Sequence, residues 1–395
     1  GNFNTNNVIN MKGMFKYCNN IKKLEIIKFN TSKVTDMSEM FYHCTGISHL
    51  DISNFNTSNV KDISYMFYNC RQLKKISFNF KTTNVQNMSH LFENCIYLEN
   101  INISNFDTRN VNDMSSMFLD CIQLEELDVS NFVTNNVKNM SHMFDGCNSL
   151  QNLDLSNFIT SNVLDMSYMF KACSKISSLE ISKFNTSKVV DMSKMFQFCS
   201  GLLELKVSSF DTSQVTDMSN MFEDCQYIRT IDTVNFKTDN VQNMESMFSG
   251  CLLLSSLDFS SLKTSQVKNM SSIFRECNTL TSLDLTGINT ELVEDMSYMF
   301  SGCSLLPYID TSSFNTKNVQ NMLGMFQDCS TLTEVDISHF NRSNVKDMSE
   351  MFQNCKKLEN LDFSSFNTNK VTDMSSMFEN CGSLKYLTLS VIDTS

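Results

Sequence analysis

Cysteine recurs through this chain at a fixed pitch. Positions 18, 44, 70, 95, 121, 147, 173, 199, 225, 251, 277, 303, 329, 355 and 381 are 26 residues apart, except for the 25 between Cys70 and Cys95. A fixed period of roughly 20–50 residues marks a solenoid or array, in which each repeat buries its apolar face only against its neighbours. The register runs through all 395 residues with one proline and no Gly/Ser-rich linker. It therefore predicts one uninterrupted repeat solenoid over 1–395, of about fifteen coils, without separate domains.

One coil, Val34 to Asn59, shows how the repeat is built. Valine fills the Val34 column and phenylalanine the Phe41 column in every coil, and all 27 methionines fall in the columns of Met37 and Met40, where Ile63, Leu91 and Ile273 are the exceptions. Such uniformity is a packing statement. Met37, Met40, Phe41 and Cys44 recur at spacings of 3, 4 and 7, the apolar stripe of a short helix with one face inward. An Asp or Asn precedes the first methionine, as at Asp36 and Asn87, in the place of a helix N-cap. Past the cysteine, apolar Ile47, Leu50 and Ile52 alternate with polar Asp51 and Ser53, the pattern of a short strand. Phe55 joins the core, and Thr57, Ser58 and Asn59 turn the chain toward the next coil. The expected fold is thus an α/β repeat, a curved leucine-rich-repeat-like solenoid with a short parallel β-strand and a short helix per coil. The strands should form the ladder at about 4.8 Å spacing, and the thicker helices, about 10 Å across, should bend the stack into an arc roughly 70 Å long.

Composition narrows the function classes. Hydrophobic residues make up 41% of the chain, too many for a disordered one. The net charge of -12 and the lack of a basic stripe argue against nucleic acid or anionic membranes as partners. No apolar run of about 20 residues is present for membrane insertion, no signal peptide is recognisable, and the chain opens on Gly1 rather than methionine. It reads as a mature or partial product.

The run CTGISHLDISNFNTSNVKDISYMFYNC, Cys44 to Cys70, resembles the BspA-type leucine-rich repeat, with its LDxSxF and DMSxMF motifs at the same pitch in almost every coil. The resemblance covers essentially the whole chain. It implies a surface or extracellular protein of bacteria or unicellular eukaryotes, associated with adhesion to host or matrix proteins and to other cells, and it transfers no contact residue. Departures are mild. Arg342 replaces the repeating threonine, Leu262, Ile288 and Ile392 replace the post-strand phenylalanine, and the coil around Phe78 and Phe80 lacks one residue.

Candidate chemistry lies in four places. Neighbouring cysteines in a stack could form a disulfide ladder, although one cysteine per coil at an inward position fits a small buried hydrophobe. No CxxC occurs, and the five histidines, at 43, 49, 90, 142 and 339, give no repeating metal or nucleophile spacing, so no metal, cofactor or catalytic residue is expected. The second is an acidic column outward on the strand: Glu25, Asp51, Asp128, Asp154, Glu180, then Asp232, Asp258, Asp284, Asp310, Asp336 and Asp362 without a break. That run reads either as a face collecting calcium or lysine-rich partners, or as a solvated face whose charges discourage edge aggregation. Third, positions around it vary over an invariant core, as at Lys23, His49, Lys75, Glu126, Glu204, Tyr308, Glu334 and Tyr386, either because they present a ligand face or by drift at exposed sites. Last, Asn30, Asn56, Asn185 and Asn341 open Asn-x-Ser triplets that are glycosylation acceptors in a eukaryotic secreted chain, while Asn87, Asn139 and Asn269 are reserved for caps.

Both ends enter or leave a coil in mid-phase and look uncapped, as expected if flanking segments are missing or if copies stack head to tail. The favoured reading is a non-enzymatic surface protein that mediates adhesion or protein-protein interaction, binding a protein or glycan ligand through its strand-lined face. The alternatives are end-to-end self-association into filaments or a coat, and an intracellular scaffold, which fifteen thiols would suit.

Overall fold

The computed structural model describes residues 3–338, 340, 344–364, 366 and 368–389. Asn341, Arg342, Ile392 and His339 lie outside them. Two compact units are formed, Gly1–Val189 with Phe198–Leu202 and Val190–Gln197 with Leu203–Ser395. Each is a β-solenoid built from the same coil.

Strands appear where the alternating pattern put them. In the first unit β1 (His49–Ile52) and β2 (Lys75–Phe78) pair in parallel, with Leu50 opposite Ile76 and Asp51 opposite Ser77. β3 is Ser178–Leu179. The second unit carries β4 (Glu204–Leu205), β5 (Ser256–Asp258), β6 (Ser282–Asp284), β7 (Asn360–Phe363) and β8 (Tyr386–Leu389). β5 pairs with β6 and β7 with β8, again parallel and offset by one repeat. Side chains alternate as a pleat requires, so that Leu50 and Ile52 point inward and His49 and Asp51 outward.

The expected helix is absent. Among the described residues no helix occurs, and the stretch from Met37 to Cys44 is a succession of turns. Met40, Tyr42 and Cys44 donate their N–H groups three residues back, to Met37, Glu39 and Phe41, while Met37, Glu39, Phe41 and His43 donate to Asp62, Ser64, Met66 and Tyr68 of the next coil. Half of the backbone donors are therefore spent between coils, whereas a helix would keep them within. The turns close because Glu39 (φ 58°) and His43 (φ 59°) adopt left-handed conformations, as do their equivalents throughout, for example Tyr65 and Asn69. Each such residue costs on the order of 1 kcal/mol, offset by a cross-coil hydrogen bond beside it.

Stacking distance explains why the turns prevail. Phe41 and Phe67 lie face to face with centroids 5.6 Å apart, and Phe118 and Phe144 6.0 Å apart. Helices pack no closer than about 8–10 Å, so turns stacked at this ring-to-ring spacing leave no room for a helix in each coil. The helices from whose thickness an arc was expected are not there among the described residues. Nor is the strand the main ladder, because the Asp36 column is bridged in parallel from Asn10 through Asp36, Asp62, Asn87, Asp113 and Asn139 to Asp165, and again from Asp191 to Asp373. Asp36 itself is no helix cap. Its Oδ1 accepts the Ser38 N–H at 2.9 Å, closing a side-chain turn of the kind Asp and Asn favour.

The core lies between strand and turns. Val34, Met37, Met40, Phe41 and Cys44 are fully buried, with Leu50 and Phe55 nearly so. The missing residue before Phe80 is absorbed without loss of this packing, since Phe80 remains buried and stacks on Phe106. Buried threonines tie the coils at the remaining corner. Thr134 Oγ1 accepts the Ile159 N–H at 2.8 Å and donates to the Ile159 carbonyl at 2.9 Å, and Thr31, Thr57, Thr108 and Thr160 repeat the pair.

Candidate functional site: the strand-lined face

A two-residue pleat over a fixed core leaves each coil two kinds of outward residue on the strand side, one variable and one mostly acidic. The structure places Asp51, Asp128, Asp154, Glu180, Asp232, Asp258, Asp284, Asp336 and Asp362 exposed there, with Asp310 half-buried. Tyr308, Glu334 and Tyr386 stand one position to the side, also exposed.

The acidic column has a local structural task. Asp128 Oδ1 accepts the Ser130 N–H at 2.9 Å and its hydroxyl at 2.6 Å, Asp258 does the same with Ser260, and Asp284 with Thr286. The Asp-x-Ser spacing of the repeat is thus the turn that ends each strand. The hydroxyl and then the amide hold Asp51, Asp128, Asp284 and Asp362 below the ordinary carboxyl value, and at Asp154 the amide of Ser156 is the larger cause. One oxygen of each carboxylate is committed to this turn. Among the described residues no three His, Cys, Asp or Glu side chains converge as a metal ion would require.

Shallow grooves open along this face in both units. One is acidic, lined by Glu125, Glu126, Asp128 and Asp154. A second mixes charges, with His49, Asp51 and Lys75 beside Lys23 and Glu25, which pair at 2.6 Å. In the second unit one groove runs along Asp258, Asp284, Asp310 and Tyr308, and another along Tyr308, Glu334, Asp336, Asp362 and Tyr386. Most of the variable and acidic positions singled out from the sequence are brought together here, whereas Glu180, Glu204 and Asp232 line none of these four grooves.

The cysteine column is made of thiols, not disulfides. Cys44 Sγ donates to the Phe15 carbonyl of the preceding coil at 3.1 Å, and Cys121, Cys147 and Cys303 make the same bond to Phe92, Phe118 and Phe274. Thirteen are buried, and only Cys18 and Cys381 are partly exposed. Burial pushes the Cys44, Cys199 and Cys277 thiols up to about 12, far from the thiolate that reacts.

Sequence reasoning missed the turn side. There Tyr42 stacks on Tyr68 at 4.5 Å and Tyr65 on His90 at 4.2 Å, with Tyr17 and His43 against them and the Lys16 ammonium over the Tyr42 ring. A helix would have scattered these side chains around its outer face. The signal was the column before each cysteine, where Asn69, Asn94, Asp120, Gly146, Asp224 and Gly250 are residue types that tolerate left-handed backbone.

No curated protein matches this sequence. The chain is similar to solved structures of a leucine-rich repeat protein from Bacteroides ovatus (16% identity, TM-score 0.41, 91% of this chain and 76% of that one) and of a leucine-rich cell surface protein from Faecalibacterium prausnitzii (15%, 0.33, 90% and 83%). It is also similar to an internalin from Listeria monocytogenes (14%, 0.23, 91% and 84%). One family model matches residues 1–96, 72–179, 176–282 and 268–390, nearly the whole length, and the chain belongs to that family, described as Mycoplasma protein of unknown function, DUF285.

Proposed function

We propose that this chain is a non-enzymatic repeat protein, displayed on a cell surface or outside the cell, that holds a protein or glycan ligand on its strand-lined face. The observation that carries the reading is the contrast between the two layers of one strand. Inward residues such as Leu50, Leu257 and Leu361 are buried and nearly uniform, while the outward residues beside them differ from coil to coil and line grooves. A scaffold with a fixed core and a variable face is how solenoids present binding surfaces. The surface location is supported by the likeness of the motifs to BspA-type repeats. Buried thiols remove one objection to it, because groups with so little thiolate are slow to oxidise.

The test is ligand capture followed by paired surface changes. Purified chain is screened against extracellular matrix proteins and a glycan array, and the strongest hit is measured with Glu126→Ala/Gln151→Ala/Tyr308→Ala on the strand face, where Gln151 lines the acidic groove, and with Tyr65→Ala/Tyr68→Ala/Lys194→Ala on the turn face, where Lys194 holds the left-handed position that Glu39 holds in its coil. Loss of binding confined to the strand-face set supports the reading. Loss confined to the turn-face set overturns it.

A further inference from the structure

Four of the chain's ten tyrosines, Tyr17, Tyr42, Tyr65 and Tyr68, meet on the turn side of the first unit. Their contacts are unequal. Tyr42 and Tyr68 hold the same position in successive coils and stack with centroids 4.5 Å apart and planes within 9° of parallel. Tyr17 meets Tyr42 edge-on at 5.4 Å, Tyr65 is tilted 54° to Tyr68 at 5.7 Å, and one face of Tyr65 is taken by His90 at 4.2 Å. The backbone beneath the stacked pair is fixed, because Phe41 and His43, on either side of Tyr42, donate their N–H groups to the Met66 and Tyr68 carbonyls at 2.9 and 2.8 Å. Tyr42 and Tyr68 are half-buried rather than sealed, and Tyr17 beside them is 58% exposed.

We infer that Tyr42 and Tyr68 are an oxidative modification site, at which hydrogen peroxide acting through a haem peroxidase joins the two rings as dityrosine and staples neighbouring coils covalently. Each phenol gives one electron and one proton to the peroxide, which is reduced to two waters. The two phenoxyl radicals then couple through ring carbons ortho to oxygen. A C–C bond forms, one C–H bond breaks on each ring, and the two protons released return to the phenol oxygens. Proximity selects this pair, since two rings held in contact meet at an effective concentration that rings on separate chains do not reach. Competing oxidisable groups are few. The chain has no tryptophan to take the radical, thirteen of its cysteines are buried and kept as unreactive thiols, and among the described methionines only Met14 and Met374 are exposed. The staple lies on the turn side, so it leaves the strand-lined face open whichever ligand that face holds.

The experiment treats the dilute full chain, its partly exposed Cys18 and Cys381 first capped with a thiol reagent, with a haem peroxidase and hydrogen peroxide, and follows dityrosine fluorescence, particle size and peptide masses. The parent should give a fluorescent monomer lighter by the mass of two hydrogens, with a cross-linked peptide pair that joins Tyr42 to Tyr68. Tyr42→Phe and Tyr68→Phe keep a stacked ring but form no phenoxyl radical, and each should abolish that product. Tyr386→Phe, which removes an exposed phenol far along the chain, should leave its yield unchanged. Absence of dityrosine in the parent, cross-links confined to dimers, a product that maps to another tyrosine pair, or an undiminished yield in Tyr68→Phe overturns the inference.

Discussion

Removing one buried hydroxyl tests how the coils are held together. Thr134 Oγ1 satisfies both the N–H and the carbonyl of Ile159 in the next coil, at 2.8 and 2.9 Å, and the threonine is fully buried. Thr134→Val keeps the shape of the side chain and leaves two backbone groups with no partner at that corner. An unsatisfied buried group costs about 1–3 kcal/mol, and no cavity term adds to it because a methyl replaces the hydroxyl. Solenoid coils open locally rather than all together, so amide hydrogen exchange is the appropriate assay. The Ile159 amide should exchange roughly 5- to 150-fold faster in Thr134→Val, the factor that 1–3 kcal/mol implies. Thr134→Ser, which retains the hydroxyl, should stay near the parent. Parent-like protection of Ile159 in the valine variant, or equal loss in both variants, would refute the role assigned to this column.

Three further outcomes are expected. A thiol reagent on the native chain should modify Cys18 and Cys381 and leave the thirteen buried cysteines intact until the chain unfolds; rapid modification of Cys147 or Cys277 would contradict the packing. Phe144→Ala, in the middle of a continuous ring stack, should lower stability by about 3–5 kcal/mol in denaturant melts, against less than about 0.5 kcal/mol for exposed Gln151→Ala. The strand-end turns should weaken in acid. The carboxyls of Asp128 and Asp284 are lower in the fold than their ordinary 3.8, so the stability they contribute is fully present above that value and is lost as pH falls through the folded value. Amides of Ser130 and Thr286 should lose protection below about pH 4 relative to the Asp128→Asn/Asp284→Asn chain, which keeps its acceptors without titrating; equal pH profiles would remove the carboxylates from the account.

Much of the coil was legible because repetition tests each position many times over. The inward columns of Val34, Met37, Met40, Phe41, Cys44, Leu50 and Phe55 are buried, and the alternation around Asp51 does make a strand. The helix was misread for a physical reason. Spacings of 3, 4 and 7 belong to a 3.6-residue helix, but a turn closed every four residues also brings Met37, Met40, Phe41 and Cys44 to one side. An Asp before the first turn favours either structure, since the side chain accepts the same kind of amide in both. What separates them is the backbone at Glu39 and His43, and there the sequence is only half informative. Asn, Asp and Gly dominate the His43 column, whereas Tyr65, Tyr168 and Tyr298 in the Glu39 column give no warning of a left-handed conformation. The variable face was legible as variation over constancy, but the grouping of Tyr308 with Tyr386 requires knowing that residues 78 apart are three coils apart.

The central claim is that ligands meet the strand side of the coils and not the turn side. Its most direct measurement places a photoreactive phenylalanine analogue at Gln151 or Tyr308 on one side and at Tyr168 or Lys194 on the other, then exposes each chain to the captured ligand and light. Covalent products should form from Gln151 or Tyr308 and be absent from Tyr168 and Lys194. Products from the turn-side positions alone would contradict the account.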